Sequence, residues 1–137
     1  MERRERVVKV ILDSNFLFLP LKFRIDPLEE LSRIAPRRVE PVILSVSLEE
    51  LRSKAEKGSP KTRREVDFAL GLAEKFKVVE VSRETDESVD EVILRVAREG
   101  GYAVATNDRK LKKRLRDINI PVFYLRGKSQ LELDGVI

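Results

Sequence analysis

The chain contains no cysteine and no histidine. Without thiols there are no disulfides and no thiolate metal sites, and without imidazoles there is no histidine general base and little scope for zinc chemistry. Any metal must therefore be held by oxygen, which points to Mg²⁺ or Mn²⁺ rather than zinc or copper. Long apolar runs are also missing. None approaches the roughly 20 residues of a membrane span, and the opening Met-Glu-Arg-Arg-Glu-Arg is not followed by a signal-like segment. A soluble, cytoplasmic protein is expected. Uncharged amides are scarce, with one Gln and three Asn. Beside a charged fraction of 38%, this resembles the thermophile pattern of many ion pairs and few thermolabile side chains. No internal repeat, low-complexity segment or linker interrupts the 137 residues, so one domain over 1–137 with a sizeable core is expected.

What is present is basic. A net charge of +4 and a pI near 9.5 favour a polyanionic partner such as nucleic acid. The apolar pattern alternates between strand-like and helix-like. Val7 to Leu12 is a β-branched run suited to a strand buried on both faces of a parallel sheet. A short apolar helix or turn over Phe16 to Leu21 follows. Asp26-Pro27 then starts a helix, with Asp as N-cap and Pro at its first position, and Pro36 ends it. Strands are predicted over Pro41 to Ser45, Lys77 to Ser82, Tyr102 to Thr106 and Pro121 to Leu125. Between them lie helices over Leu48 to Lys57 (opened by Ser47), Lys61 to Phe76, Asp86 to Glu99 and Asp108 to Asp117, with Gly100-Gly101 as a stop. Residues 127–137 form a tail that the pattern does not place. Alternation of this kind implies β-α-β crossovers and a parallel sheet of about five strands with helices on both faces.

Each predicted strand but the last leads into an acid. Asp13 follows the first strand, Glu49 and Glu50 open the helix after the second, Asp86 and Asp90 follow the third, and Asp108 follows the fourth. A parallel sheet turns all of these towards the crevice at the carboxyl ends of its strands, where open α/β sheets bind ligands. Bland alternatives exist for most of them. Asp13, Ser14 or Asn15 can cap the next helix, Ser47 and Glu50 fit a capping box, Asp86 and Glu87 complement a helix dipole, and Asp108 can cap the basic helix. Asp90 is different. On a wheel of about 100° per residue it falls among Val89, Ile93, Leu94 and Ala97, while Glu91, Arg95 and Arg98 fall on the wet side. No basic residue of that helix points its way, and a carboxylate there is costly unless paired or bound to a cation. The wheel does not separate Glu49 from Glu50. Converging carboxylates repel one another unless a divalent ion neutralises them. Such an ion activates water for phosphodiester cleavage without histidine.

Four segments carry a resemblance. Ile-Leu-Asp-Ser-Asn-Phe-Leu (11–17), Leu-Glu-Glu-Leu (48–51), Val-Asp-Glu-Val-Ile-Leu-Arg-Val-Ala (89–97) and Ala-Thr-Asn-Asp-Arg-Lys-Leu-Lys (105–112) resemble, in order, the four acidic motifs of PIN-domain ribonucleases. The resemblance spans essentially the whole chain. It implies a three-layer α/β/α fold and Mg²⁺- or Mn²⁺-dependent endoribonuclease activity, with Asp13, Glu50, Asp90 and Asp108 as catalytic metal ligands and Asn15 and Thr106 in support. Glu50 is preferred to Glu49 because the family's acid directly precedes the leucine. The last motif, with the Ile-Pro-Val-Phe-Tyr-Leu-Arg that follows its helix, is similar to archaeal relatives of the small-subunit rRNA-processing nuclease. The VapC toxins form the other branch. The resemblance further implies a homodimer and, on the toxin branch, an antitoxin partner.

Arg109, Lys110, Lys112, Lys113, Arg114 and Arg116 place six cations in eight residues. Leu111 and Leu115, four apart, would face the sheet and leave the charges outward, either as a solvated face or as a ridge that tracks RNA phosphates towards Asp108. Lys61, Arg63 and Arg64 are candidates to extend it. Among possible exposed aromatics there are only Phe23, Tyr102, Phe123 and Tyr124, most of them reading as core, so backbone contacts are expected rather than base stacking. Two rivals remain. One is a non-cleaving RNA-binding ribosome-assembly factor that keeps the acids as caps. The other is an aspartyl phosphotransferase with Asp13 as nucleophile, for which Asn15 stands where dehalogenase-type phosphatases want a second acid.

Overall fold

A computed structural model describes residues 7–137. The β-branched run forms β1 (Val8–Leu12), buried at every position but Lys9. It is the centre of the sheet: β2 (Val39–Leu44) pairs with it on one side and β4 (Ala103–Ala105) on the other, both parallel. Outside these lie β3 (Lys77–Val79) and β5 (Val122–Arg126), again parallel. These five strands match the expected parallel sheet. The tail that the pattern left unplaced adds a sixth, β6 (Gln130–Asp134), antiparallel to β5, and the order is β3-β2-β1-β4-β5-β6.

Helices cover both faces. A 3₁₀ turn (Ser14–Phe18) and α1 (Leu19–Lys22) follow β1, and α2 (Pro27–Ile34) precedes β2. Next come α3 (Ser45–Lys57) and α4 (Pro60–Ala73), then α5 (Val89–Gly100) before β4 and α6 (Arg109–Asp117) before β5. Because strand side chains alternate, Val10, Leu12, Ile43, Ala105 and Phe123 pack on one face against Leu31, Leu51, Val66 and Ala69. Ile11, Val42, Leu44, Val104 and Val122 pack on the other against Val92, Ile93, Leu111 and Leu115. The result is a three-layer α/β/α sandwich. Among the described residues no helix is long and apolar enough to cross a membrane.

Helix starts are where the pattern and the structure differ. Asp26 caps α2 as expected, accepting from the Leu28 and Glu29 N–H groups at 3.1 and 3.2 Å. The third helix, however, begins at Ser45 rather than Leu48, with no side-chain cap at its start. Ser45 instead fastens the segment after β3, its hydroxyl accepting from Val81 N–H at 3.0 Å and donating to Val81 O at 3.3 Å. Ser47 is buried inside α3 with no partner for its Oγ among the described residues, so the expected capping box with Glu50 does not form. The helix expected from Asp86 starts at Val89, with Ser88 and Glu91 forming a reciprocal capping box. Asp86 sits before it in the left-handed region, φ 65°, and Glu87 pairs with Arg95 at 2.9 Å. The stop is as read, with Gly101 at φ 71° closing α5.

The Ser88 cap fixes where α5 begins and hence where Asp90 stands. Ser88→Ala removes the acceptor for Glu91 N–H and is expected to lower stability by about 1 kcal/mol. Urea unfolding should show a lower midpoint with an unchanged slope. An unchanged midpoint would mean that tertiary packing alone sets the start of α5.

Candidate active site and its electrostatics

After β1 the chain crosses to β2 on one side, whereas after β4 it crosses to β5 on the other. The gap beyond the carboxyl ends of β1 and β4 is therefore the sheet's switch point, the usual ligand crevice. Asp13 leaves β1 there and Thr106-Asn107-Asp108 leave β4. The backbone ladder carries on one step past the strands, Asp13 N–H donating to Ala105 O at 2.9 Å. The side chains then join: the Thr106 hydroxyl donates to Asp13 Oδ2 at 2.6 Å and accepts from Asp108 N–H at 3.1 Å. Asp13 occupies the N-cap position of the 3₁₀ turn, yet its side chain makes no capping bond. Its carboxylate is committed to Thr106 instead.

Asp13 is only 6% exposed. Burial pushes its pKa up to about 6, against the lowering effect of the Thr106 bond, and the nearby Asp90 and Asp108 carboxylates raise it further. Asp90, half-buried at the start of α5, is also raised, by desolvation first and by Asp108 second, while Arg114 of α6 opposes the shift. The wheel placed Asp90 on the core side correctly. Its cationic neighbour comes from another helix, which a wheel of one helix does not show. Asp108 does cap α6, its Oδ1 accepting from Lys110 and Leu111 N–H at 2.8 and 3.1 Å.

Three of the four acids thus share one electrostatic neighbourhood. Glu50 is placed differently: it is exposed and, with Glu49, lines a neighbouring hollow of about 760 Å³ that also holds Ser14, Asn15, Lys22, Lys54, Glu65 and Arg83. Asn15 and Lys22 also line a second hollow of about 730 Å³, which reaches Thr106 and Asn107. Among the described residues no group of three or more acids is gathered closely enough to hold a metal ion. The donor chemistry nevertheless fits a hard divalent cation. All candidate donors are oxygens, and the two raised carboxylates are desolvated and mutually repelled, the condition that a dication relieves.

The basic helix is divided. Leu111 and Leu115 are fully buried, as their spacing implies, but two of the six cations turn towards the C-terminal strand. Arg116 Nε meets Asp134 at 3.1 Å and its guanidinium also donates to Ile120 O at 3.3 Å. Lys112 Nζ lies 3.7 Å from Asp134 and 3.5 Å from the centroid of the Tyr124 ring. Arg109, Lys110 and Lys113 are exposed, as is Arg114 beside Asp90. Of the aromatics, Phe123 is core and Tyr102 lies beneath Lys9 at 5.8 Å. The pattern missed Asn107, whose Oδ1 accepts from Leu125 N–H at 2.8 Å and ties the crevice to β5. Its place between Thr106 and Asp108 was the only available signal. It also missed Lys22 and Arg126 as lining residues, since nothing local shows that α1 and the end of β5 are neighbours.

The PIN like domain family matches residues 10–128, and the chain belongs to that family. Ribonuclease VapC4 of Methanocaldococcus jannaschii is 37% identical over 134 residues, covering 94% of this chain and 98% of that protein. The rRNA-processing protein FCF1 of Saccharomyces cerevisiae is 30% identical, covering 88% of this chain but 61% of its own length. Among solved structures, the PIN domain endonuclease Utp24 superposes with a TM-score of 0.71 at 28% identity, covering 94% of this chain and 92% of that one.

Thr106 holds Asp13 below the value burial alone would give. Thr106→Val should raise the Asp13 midpoint by about one further unit, a hydrogen bond to a charged group contributing about 1.5 kcal/mol, whereas Thr106→Ser should leave it near 6. Carboxyl-carbon NMR titration in metal-free buffer reads this directly, and equal midpoints in both variants would show that the bond does not tune the acid. A raised carboxyl pKa stabilises the folded protein fully at acid pH, and that stability is lost as pH rises from about 4 through about 6. Asp13→Asn should therefore flatten metal-free thermal stability over that window. Relative to wild type, it should gain on the order of 3 kcal/mol at pH 7. A loss of stability at pH 7 would show the charged form to be a structural partner.

Proposed function

We propose that the protein is a divalent-metal-dependent endoribonuclease that cleaves RNA phosphodiester bonds at the switch point between β1 and β4. The observation that carries this reading is Asp13: a buried acid raised to about 6, held by Thr106 rather than used as a cap, and facing Asp90 and Asp108. A purely structural role does not account for placing Asp90 and Asp108 where they raise the cost of charging Asp13. Asp13, Asp90 and Asp108 would hold Mg²⁺ or Mn²⁺, with Glu50 reaching in from the adjoining hollow and waters and a substrate phosphate completing the shell, as Mg²⁺ prefers. The chemistry such an ion supplies is activation of a water and neutralisation of the departing oxygen.

The chain's own groups do the rest. Thr106 fixes one Asp13 oxygen, while Asn15 offers an amide at the rim where the two hollows meet. Arg109, Lys110 and Lys113 hold phosphates of the strand as it approaches. The length shared with the VapC4 ribonuclease supports a compact nuclease, and the rRNA-processing relatives support ribosomal RNA among its substrates. The non-cleaving alternative draws on Asp108, which does cap a helix.

Asp13→Asn and Asp90→Asn are each expected to reduce Mg²⁺-dependent cleavage of single-stranded RNA by at least about 10³-fold, a loss of roughly 4 kcal/mol of transition-state stabilisation. Fold and metal-free RNA affinity should be retained. Gel analysis of end-labelled RNA with and without EDTA reads the first, anisotropy the second. Wild-type protein that binds RNA but leaves it intact in both Mg²⁺ and Mn²⁺ would establish the assembly-factor reading instead.

A further inference from the structure

The two hollows that meet at Asn15 and Lys22 differ in charge. The one towards β5 is lined by Lys22, Arg109, Lys112 and Arg126 and by no acid. The one towards α3 sets Glu49, Glu50 and Glu65 against Lys22, Lys54 and Arg83. A phosphodiester backbone gains from the first and gains nothing net from the second, where three acids balance three cations. Two cations of the first are also held in place. Glu132 fastens Arg126 at 3.0 Å and Asp134 and the Tyr124 ring fasten Lys112, so less side-chain entropy is lost when a phosphate arrives. Asn107, with its Oδ1 occupied by Leu125 N–H, has its NH₂ group left as a donor on the same wall.

We infer that the protein grips single-stranded RNA on one side of the cleaved bond only, along the groove between α1 and the end of β5, with Lys22 and Arg126 as phosphate-binding residues and the charge-balanced hollow towards α3 passing the strand without holding it. This rests on the nuclease reading above and says which flank of the substrate supplies the affinity. The face of Tyr124 is covered by Lys112, so the grip on that wall is to phosphate and not to a stacked base, and it is indifferent to sequence.

The test is binding of a short single-stranded oligouridylate to the intact protein in EDTA, measured as log affinity against log salt. Replacing Arg109 and Arg126, which line only the groove towards β5, together by Gln should weaken binding about tenfold at moderate salt and reduce the slope by roughly 1.4, two single-strand phosphate contacts. Replacing Lys54 and Arg83 by Gln should change affinity less than about twofold and leave the slope unchanged, although the net charge removed is the same. Arg126→Lys beside the Arg109 wild type keeps the charge and should keep the slope, which separates lost contacts from lost fold. Equal losses from the two double variants, or a larger loss from Lys54 and Arg83, would overturn the one-sided grip. If wild type shows no salt-dependent RNA binding at all, the nuclease reading beneath it falls as well, and that outcome is distinct from the other two.

Discussion

A carboxylate buried beside two others is the constraint on which the upper edge of this sheet depends. Asp13 is kept out of water by packing on β1, and a side-chain hydrogen bond from Thr106 partly compensates it. That bond spans two strands 93 residues apart in sequence. It exists because β1 and β4 are neighbours in register, Leu12 opposite Ala105, with Asp13 N–H on Ala105 O as the last rung. A slip of one residue in this pairing would point Thr106 to the other face and strand the acid. The buried apolar runs of β1 and β4 guard against such a slip, since they carry different side chains to two different cores. The fold is thus organised to hold an arrangement that destabilises it. Such arrangements are concentrated at functional sites.

Much of this was legible in the sequence. Uninterrupted β-branched runs marked the parallel strands, Asp26-Pro27 and Gly100-Gly101 marked helix ends, and the apolar arc around Asp90 marked a carboxylate turned inward. What failed was whatever depends on competition between local partners. Ser47 and Glu50 match a capping box as well as Ser88 and Glu91 do, but only the second pair forms. Ser45 is engaged by Val81, thirty-six residues away, and the helix starts one turn early. β6 was missed although Gln130-Leu131-Glu132-Leu133-Asp134 alternates polar and apolar as a half-buried strand does; five residues at the end of the parallel pattern do not show that they turn back antiparallel on β5, with Leu131 in the core and Asp134 on Arg116. The candidate acids were visible as types and positions. Their unequal placement, with Glu50 in the adjoining hollow, was not, because α3 starts at Ser45, a turn earlier than the pattern implies, and Glu50 lies inside it rather than at its start.

The six cations of α6 show why charge counting alone says little about binding. Their spacing is regular, and the leucines inside them are buried as a simple wheel requires. Yet the neighbours of each charge differ. Arg116 and Lys112 stabilise the seam with β6, Arg114 offsets the acids at Asp90, and Arg109, Lys110 and Lys113 face outward. Three functions are carried by one basic stripe, and the division follows from which acids the other elements present.

The antiparallel strand β6 connects these points. An edge strand exposes unpaired N–H groups and invites pairing with another chain. Here one of those N–H groups, that of Leu131, donates to Glu30 of α2 at 3.3 Å, so the edge is partly closed by a helix. The same strand carries Glu132 and Asp134, which hold Arg126, Tyr124, Lys112 and Arg116. Its acids sit behind the cations rather than in front of them. Placed in front, they would compete with a phosphate. Placed behind, they fix the direction of each guanidinium and ammonium while their own charge is screened from the groove by the cations they hold. The strand that the sequence pattern left unplaced is therefore the one that orients the cations of the groove, and it does so with ordinary partly exposed ion pairs whose contribution to stability is small.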